Sequence, residues 1–310
     1  MIGTRRWLGV AAAVALCLAP MSTAQASAGR PADVGTDALT AMHDEAFAAA
    51  QYLAYGEAAS RAGRPGVAAL FRRTAADESS DHFAAEAALS GFVGSDVANL
   101  QVGITGESQD LTDYDRWATE AAADRCPAAA ELFTEVRRDE AGHLARYATA
   151  VEALVDPASG VTVPDPPAVE PVAVVPGPAK CAPRTTANLQ SAMQGEAFAW
   201  AKYTLFAKHA AAAGRPRLAA LFNGAGQMEL REHFVGEANL AGLVADVPGN
   251  LRISIAAETQ AMAMYGAAAQ RAAQAGDAAA AALFRQIRGD ERSHREAFLA
   301  ALNNLTGSTG

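Results

Sequence analysis

Four pairs of glutamates occur at one spacing along the 310-residue chain, with the second member of each pair 33 residues after the first. A tyrosine stands 7 residues after each first glutamate, and a histidine follows each second glutamate within about one helical turn. Carboxylates and imidazoles are metal ligands, so a fourfold repeat of them predicts metal binding. The glutamate pairs are Glu45 and Glu78, Glu107 and Glu140, Glu196 and Glu229, and Glu258 and Glu291; the histidines are His82, His143, His233 and His294; the tyrosines are Tyr52, Tyr114, Tyr203 and Tyr265.

The glutamates stand in apolar stripes that would face the inside of a helical bundle. In the predicted second helix, the stripe residues are alternately four and three apart, which is the spacing of a packed helical seam. A lone glutamate on such a stripe usually reaches solvent at its edge, but this explanation is weak for eight glutamates in one register. A buried carboxylate needs a cation or another partner, so metal ligation is favoured. This stripe comprises Phe71, Ala75, Glu78, His82, Ala85 and Leu89.

The chain divides into two similar halves around a proline-rich segment. Residues 156–186 hold eight of the fourteen prolines, which predicts a semi-extended linker and not a packed element. The glutamate pattern of the first half recurs 151 residues later in the second. Alanine-rich sequence interrupted by glycine and proline predicts four helices in each half. We expect them at 37–62, 66–90, 96–123 and 128–154, and at 187–213, 217–241, 249–274 and 277–304.

The N-terminus has the pattern of an export signal. The basic pair Arg5-Arg6 precedes an apolar stretch at 7–18, and Ala24-Gln25-Ala26 is a small-residue cleavage site. Residues 1–26 are therefore expected to be a signal peptide, which would place the protein in the cell envelope or the extracellular space. No later apolar run is long enough to span a bilayer, so no transmembrane segment is expected after cleavage.

Charge and cysteine content narrow the classes of partner. The formal net charge is −9, and this acidic balance argues against nucleic-acid binding. Two cysteines lie outside the signal, Cys126 and Cys181. They are too far apart in sequence for a zinc or CxxC redox motif. Outside the cytoplasm they would either form a disulfide or remain as two thiols.

The spacing of the ligands fits one known arrangement. One glutamate from each of two helices, together with Glu-x-x-His from each of two others, is the ligand set of dinuclear carboxylate bundles. Each half resembles a rubrerythrin-type domain of the ferritin-like superfamily, on the stretches from Gly195 to Tyr203 and from Asn99 to Glu107. The resemblance covers nearly all of 37–155 and 187–305. It implies an all-α fold of two tandem ferritin-like four-helix bundles, each with a dinuclear site for iron, or alternatively manganese.

The second helices depart from the family pattern by one residue. Their histidines follow the glutamates after four residues instead of three, and Asp81 or Glu232 occupies the expected position. Either that carboxylate is the ligand, or a π-bulge brings the histidine round; such bulges favour functional sites. We favour His82 and His233 as the ligands.

The resemblance also bears on residues around the sites. Rubrerythrins carry a second acid three residues after the first on the third helix, which implies Asp110 as a further ligand, whereas the second half has Ala261 there. The four repeated tyrosines would either pack in the core or donate hydrogen bonds to carboxylates on facing helices, and the resemblance favours the second role. The family's cysteine-ligated rubredoxin module has no counterpart in this sequence.

The second connection in each half is too short for the topology that the resemblance implies. Parallel second and third helices need a link that returns along the bundle, roughly 35 Å at helical rise. Five to seven residues span at most about 17–25 Å. The bundle is then either entirely antiparallel or formed by exchanged helix pairs, within the chain or in a homodimer. We expect helices one and two of each half to pack with helices three and four of the other half.

Taken together, the sequence predicts an exported di-iron oxidoreductase. The resemblance implies peroxide reduction or Fe(II) oxidation, with peroxide or dioxygen as the oxidant. Peroxidase turnover would need an external electron donor, ferroxidase chemistry takes its electrons from Fe(II), and manganese-catalase chemistry needs no donor. A non-catalytic envelope protein that binds or buffers iron is the alternative from another class.

Overall fold

The computed structural model describes residues 32–307, and the repeating element in them is the α-helix. Two of the helices contain a π-helical segment, so each is one continuous rod in three parts. The helices are α1 (Ala32–Arg61), α2 (Pro65–Ala76, the π segment Asp77–His82 and Phe83–Ser90), α3 (Asp96–Ala123), α4 (Pro127–Val155), α5 (Pro183–Ala212), α6 (Pro216–Met228, the π segment Glu229–His233 and Phe234–Ala241), α7 (Val247–Gln274) and α8 (Ala278–Gly307).

The ends of the helices follow from local chemistry. Proline opens several of them at the first positions, where its missing N–H costs nothing. Ser95 caps α3 by accepting a hydrogen bond from Ala98 N, and Asp246 caps α7 in the same way. Gly91 and Gly242 end α2 and α6 with positive φ, a conformation that favours glycine. The short links that follow therefore turn sharply.

The eight helices form two four-helix bundles, and neither coincides with one half of the sequence. Consecutive helices pair as antiparallel hairpins, α1 with α2, α3 with α4, α5 with α6, and α7 with α8. Bundle A consists of α1, α2, α7 and α8, and bundle B consists of α3, α4, α5 and α6. The segments 37–155 and 187–305 thus each contribute one hairpin to both bundles. All-α architecture, expected from the alanine-rich sequence, is confirmed.

The two bundles share a continuous apolar core across the packing of α1 against α5. His43 of α1 stacks on Phe198 of α5 with ring centroids 3.8 Å apart. Phe47 and Phe234 meet edge to face nearby, at 6.1 Å. Because these contacts are apolar and aromatic, they hold the two bundles against each other.

The proline-rich linker is packed against α6, so the expectation that it is not a packed element was wrong. Val174 is fully buried. Three backbone N–H groups of the linker donate to carbonyls at the surface of bundle B: Val172 to Arg231, Gly177 to Val244 and Lys180 to Leu240, each at 2.9 Å. Prolines cannot donate such bonds, but the residues between them can. Residues 166–174, which lie along α6, are called the strap below.

A disulfide joins Cys126, at the start of α4, to Cys181, just before α5. Both ends belong to bundle B, so the bridge closes a loop of 55 residues that includes the strap. Bundle A contains no such bridge among the described residues. The predicted signal peptide, residues 1–26, lies outside the described residues. Among the residues that are described, the structure has no helix that combines the length and the apolar character needed to cross a membrane.

Candidate metal centres

Bundle A gathers six of the predicted ligands from both ends of the chain into one buried cluster, site A. One group consists of Glu45, Glu78, His82 and Glu291, and a second of Glu78, Glu258, Glu291 and His294; within each group the ligand atoms lie within 4.8 Å of one another. Glu78 and Glu291 belong to both groups. Two carboxylates shared by two adjacent groups are what a dinuclear centre with bridging ligands requires.

Bundle B repeats this arrangement as site B. Its groups are Glu107, Glu140, His143 and Glu229, and Glu140, Glu196, Glu229 and His233. Here Glu140 and Glu229 are shared. Thus the structure brings together, at each site, four glutamates and two histidines drawn from both halves of the chain, as the short connections led us to expect.

The π-helical turns place the late histidines on the ligand face. Glu78 and His82 are the second and the last residues of the π segment in α2, and Glu229 and His233 are the first and last of that in α6. The wider turn rotates a residue four positions on to the place that three positions would give in an α-helix. Asp81 is exposed instead. The carboxylate of Glu232 accepts a hydrogen bond from the backbone N–H of Glu170 in the strap.

The buried ligand atoms fit a bound cation. The Nδ1 atom of His82 lies 2.8 Å from Glu78 Oε2, yet both atoms lack a partner with hydrogen-bond geometry. The same is true of His233 Nδ1 and Glu229 Oε2, also 2.8 Å apart. Such pairs are aimed at a common third point and not at each other. Buried oxygen and imidazole donors without partners are costly alone, and they suit iron or manganese.

Without a cation, burial and the neighbouring carboxylates shift the pKa values of the ligand side chains. Burial, with the carboxylates of Glu291 and Glu78, raises the pKa of Glu258 to about 10. Burial, with Glu140, raises the pKa of Glu107 to about 7. Burial alone lowers the pKa of His294, but the carboxylates of Glu291 and Glu78 outweigh it and raise that pKa to about 11. The clusters therefore retain protons that a cation would displace.

Each repeated tyrosine donates a hydrogen bond to a ligand glutamate on a facing helix. Tyr52 donates to Glu258 Oε1 at 2.5 Å. The other three donate to Glu196, Glu107 and Glu45 in the same manner. All four hydroxyls lie in the core. They orient the first glutamate of each pair, the role that we preferred over simple packing.

Two buried glutamates were missed by the sequence analysis. Glu86 and Glu237 are fully buried and 151 residues apart. Tyr265 donates to Glu86 at 2.6 Å and Tyr114 donates to Glu237 at 2.8 Å. Burial raises the pKa of Glu86 to about 8. Their shared 151-residue offset and their position one turn after His82 and His233 were the signals that could have revealed them.

Aspartates lie behind three of the four ligand histidines. The Nε2 atoms of His82, His233 and His294 are 3.6, 3.6 and 3.4 Å from Asp290, Asp139 and Asp77, respectively. Among the described residues, no aspartate is paired with the Nε2 atom of His143. The residue that corresponds to Asp77 by the 151-residue offset is Met228, which explains the difference. A carboxylate behind a ligand histidine fixes its ring and raises its basicity.

Asp110 lies near site B but outside both ligand groups. It is partly buried, and burial, with the carboxylates of Glu140 and Glu107, raises its pKa to about 8. Lys202 is buried beside it, with Nζ 4.7 Å from the ring centroid of Tyr203. Lys202 was not anticipated, because a lysine on an alanine-rich helix usually reaches solvent. Its counterpart in bundle A is Gln51, as Ala261 is that of Asp110.

Site A borders an open cleft between α2 and α8, called the cleft below. Its volume is 1130 Å³, and it is lined by both ligand histidines of site A and by three aspartates. The side chain of His294 is 10% exposed, whereas that of His143 at site B is 1% exposed. The charged and imidazole-bearing lining residues are Arg73, Asp77, Asp81, His82, Asp290 and His294.

Comparison with known proteins gives one match. Residues 249–310, which include most of α7 and all of α8, match the family model described as Rubrerythrin. Neither the curated proteins nor the solved structures gave a significant match. The matched segment carries Glu258, Glu291 and His294, which are half of site A. The match to this one segment and the all-helical bundles are consistent with a rubrerythrin-like, ferritin-like protein.

Proposed function

We propose that the protein is an exported dinuclear-metal oxidoreductase, of the ferroxidase or peroxide-reducing type, with one centre in each bundle. The observation that carries the proposal is the pair of buried groups that share two glutamates at each site. Several of their ligand atoms, among them the Nδ1 atoms of His82, His233 and His294, lack hydrogen-bond partners. A purely structural polar core would pair these atoms with each other.

At site A, Glu45 and His82 would hold one metal, Glu258 and His294 the other, and Glu78 and Glu291 would bridge. Site B would use Glu196, Glu229, His233, Glu107, Glu140 and His143 in the same roles. Two adjacent iron ions supply electrons in pairs when bound. Each repeated tyrosine donates a hydrogen bond to one oxygen of a glutamate that belongs to only one of the two groups at its site. This bond limits how that carboxylate can rotate. The apolar stripes around the ligands restrict water in the core.

The reaction type follows from the supply of electrons. Two Fe(II) provide the two electrons that, together with two protons, reduce one hydrogen peroxide to two water molecules, and two Fe(III) are the other products. With Fe(II) as substrate, the reaction needs no partner protein, so an exported ferroxidase is self-sufficient. Repeated peroxide reduction at resident iron would need an external donor. Manganese at the same ligands would instead support disproportionation of peroxide, which needs no donor.

Metal analysis followed by rapid mixing tests the proposal. The protein without residues 1–26 is reconstituted with Fe(II) under anaerobic conditions, and about four metals per chain are expected, two per site. The reduced protein is then mixed with peroxide and, separately, with dioxygen, and Fe(III) absorbance is followed. Less than one metal per chain after reconstitution with iron or with manganese would contradict the metal sites. Full loading without oxidation by either oxidant would favour an iron-binding protein without turnover.

Export is a separate part of the proposal. The Cys126–Cys181 disulfide supports it, since disulfides persist mainly outside the cytoplasm. Cell fractionation and mass spectrometry of the N-terminus would test it. The mature chain is expected to begin after Ala26. A full-length protein recovered from the cytoplasm would contradict export but leave the metal chemistry standing.

A further inference from the structure

The walls next to the two sites are built from equivalent residues but are covered differently. On α2, Arg73, Ser80 and Asp81 line the cleft beside site A. The 151-residue offset places their counterparts on α6 beside site B. These counterparts are Gly224, Arg231 and Glu232.

All three counterparts contact the strap. Pro166 lies against Gly224. Val172 N–H donates to the carbonyl of Arg231 at 2.9 Å, and Glu170 N–H donates to the carboxylate of Glu232. The wall that faces the cleft at site A is thus covered by the strap at site B.

A glycine at position 224 is needed for this covering. A Cβ added to Gly224 would lie 2.4 Å from Pro166 Cβ, a distance at which one of them must move. At site A the same position is Arg73, whose long side chain lines the cleft. Hence α6 is shaped to receive the strap and α2 is not.

The cleft also carries one acidic residue that the corresponding wall of site B lacks. Asp77, Asp81 and Asp290 line it close to His82 and His294. At site B, Met228 replaces the first of these aspartates. A concave surface lined by carboxylates raises the local concentration of cations.

We propose that divalent cations enter and leave site A through the cleft, whereas the strap closes the corresponding path to site B. Site A is then the exchanging centre, which meets metal from solution first, and site B is the retaining centre. The inference rests on the proposed function, because both sites must bind metal. It goes further by assigning the two centres different rates of exchange.

Single-site proteins separate the two rates. Glu140→Ala with Glu229→Ala leaves site A alone, and Glu78→Ala with Glu291→Ala leaves site B alone. Each protein is loaded with Fe(II) without oxygen, and release to an excess of a colour-forming Fe(II) chelator is timed. Release from site A is expected to be at least about tenfold faster than from site B. Equal rates, or faster release from site B, would overturn the inference.

Opening the strap tests its part in the mechanism. In the protein with site B alone, Gly224→Ala should push Pro166 away and speed iron release severalfold. Gly66→Ala is the matched control, because a Cβ there meets nothing within 4 Å, and it should leave the rate unchanged. Circular dichroism and thermal melting verify that each variant is folded.

A second variant protects the test if Gly224→Ala does not fold. Asn239 on α6 accepts from Val175 N–H at 2.7 Å and donates to Ala173 O at 2.9 Å. Asn239→Ala removes both bonds at the surface and should also speed release from site B. Unchanged release in the folded strap variants would overturn the role of the strap. Failure of both single-site proteins to bind iron would instead contradict the proposed function.

Discussion

Sites A and B carry the same ligands in the same register, yet their surroundings differ at several charged positions. Site A has Asp77 behind His294, whereas site B has Met228 at the position equivalent to Asp77. Site B has Lys202 and Asp110, whereas site A has Gln51 and Ala261. One site opens on a cleft and the other lies under a strap. The repeat therefore preserves the capacity to bind two metals, while its divergence changes how each pair is held and reached.

The largest expected effect comes from removing one shared glutamate. Glu78→Ala should lower the metal content from about four to about two per chain, because both metals of site A lose a bridge. Glu229→Ala should do the same at site B. Plasma emission spectrometry of reconstituted proteins measures this.

The double variant sharpens the comparison of sites. Combining Glu45→Ala with Glu258→Ala should affect one site, whereas combining Glu45→Ala with Glu107→Ala should affect both. If the first pair damaged both sites and the second pair only one, the assignment of ligands across the two halves would be wrong.

The next effect concerns the stability of the two bundles. Among the described residues, only bundle B has a disulfide. Replacing Cys126 and Cys181 by serine should lower the free energy of unfolding by about 2–4 kcal/mol, since the 55-residue loop is no longer constrained in the unfolded chain. Urea unfolding of the oxidised protein and of the variant measures the difference. A matched single variant, Cys126→Ser, should lose the same amount. A midpoint unchanged in the double variant would show that the bridge does not stabilise bundle B.

A smaller effect is expected from the aspartate that only site A has. Asp77→Asn should weaken metal binding at site A by about 10–100-fold, because the ring of His294 loses its carboxylate partner. Met228→Asp would test the converse at site B, where stronger binding is expected. Calorimetric titration with Mn(II), which avoids oxidation, gives both affinities. Equal affinities in Asp77→Asn and in the unmodified site A would mean that the 3.4 Å contact does not support the histidine.

The smallest effect is a release of protons when metal binds. The metal-free pKa of His294 is raised to about 11, and that of Glu258 to about 10, so both groups hold protons at pH 7. A bound cation needs the unprotonated forms, hence binding releases protons and affinity rises with pH in this range. Titration of the site-A-only and site-B-only proteins in weak buffer with a pH indicator should show the larger release at site A. The reason is that the counterpart Glu107 has a pKa of about 7.

Most of the ligand residues could be predicted from the sequence, because residues three or four apart lie on the same face of an α-helix. The exchange of helix pairs between the halves was also predicted from the sequence. The links after Ser90 and Ala241 are too short to return along the bundle to a parallel third helix. For the second helix of each half, the sequence left two alternatives open: a π-bulge that makes the histidine the ligand, or a carboxylate ligand one residue earlier. Only the full backbone decides between Asp81 and His82, because both lie one turn from Glu78.

Other features depended on tertiary packing that no local pattern reports. Glu86 and Glu237 lie among alanines, and a single glutamate there usually faces solvent. The strap lies within the segment 156–186, whose high proline content predicted an unpacked, semi-extended linker, yet Val172 donates a backbone hydrogen bond to α6. Pro166 packs against Gly224, which is 58 positions further along the chain. Neither residue by itself indicates this contact.

The arrangement of hairpins has a consequence for the order in which the molecule is completed. Bundle B is made from one uninterrupted stretch, α3 to α6, so all its ligands exist in the chain once His233 has been synthesised. Bundle A unites the first and last hairpins, and its centre has only three of its six ligands until α7 and α8 follow. Domains usually fold from the N-terminus onward. This chain instead completes its middle first, while its opening hairpin waits, with an exposed apolar face, for the last residues to arrive.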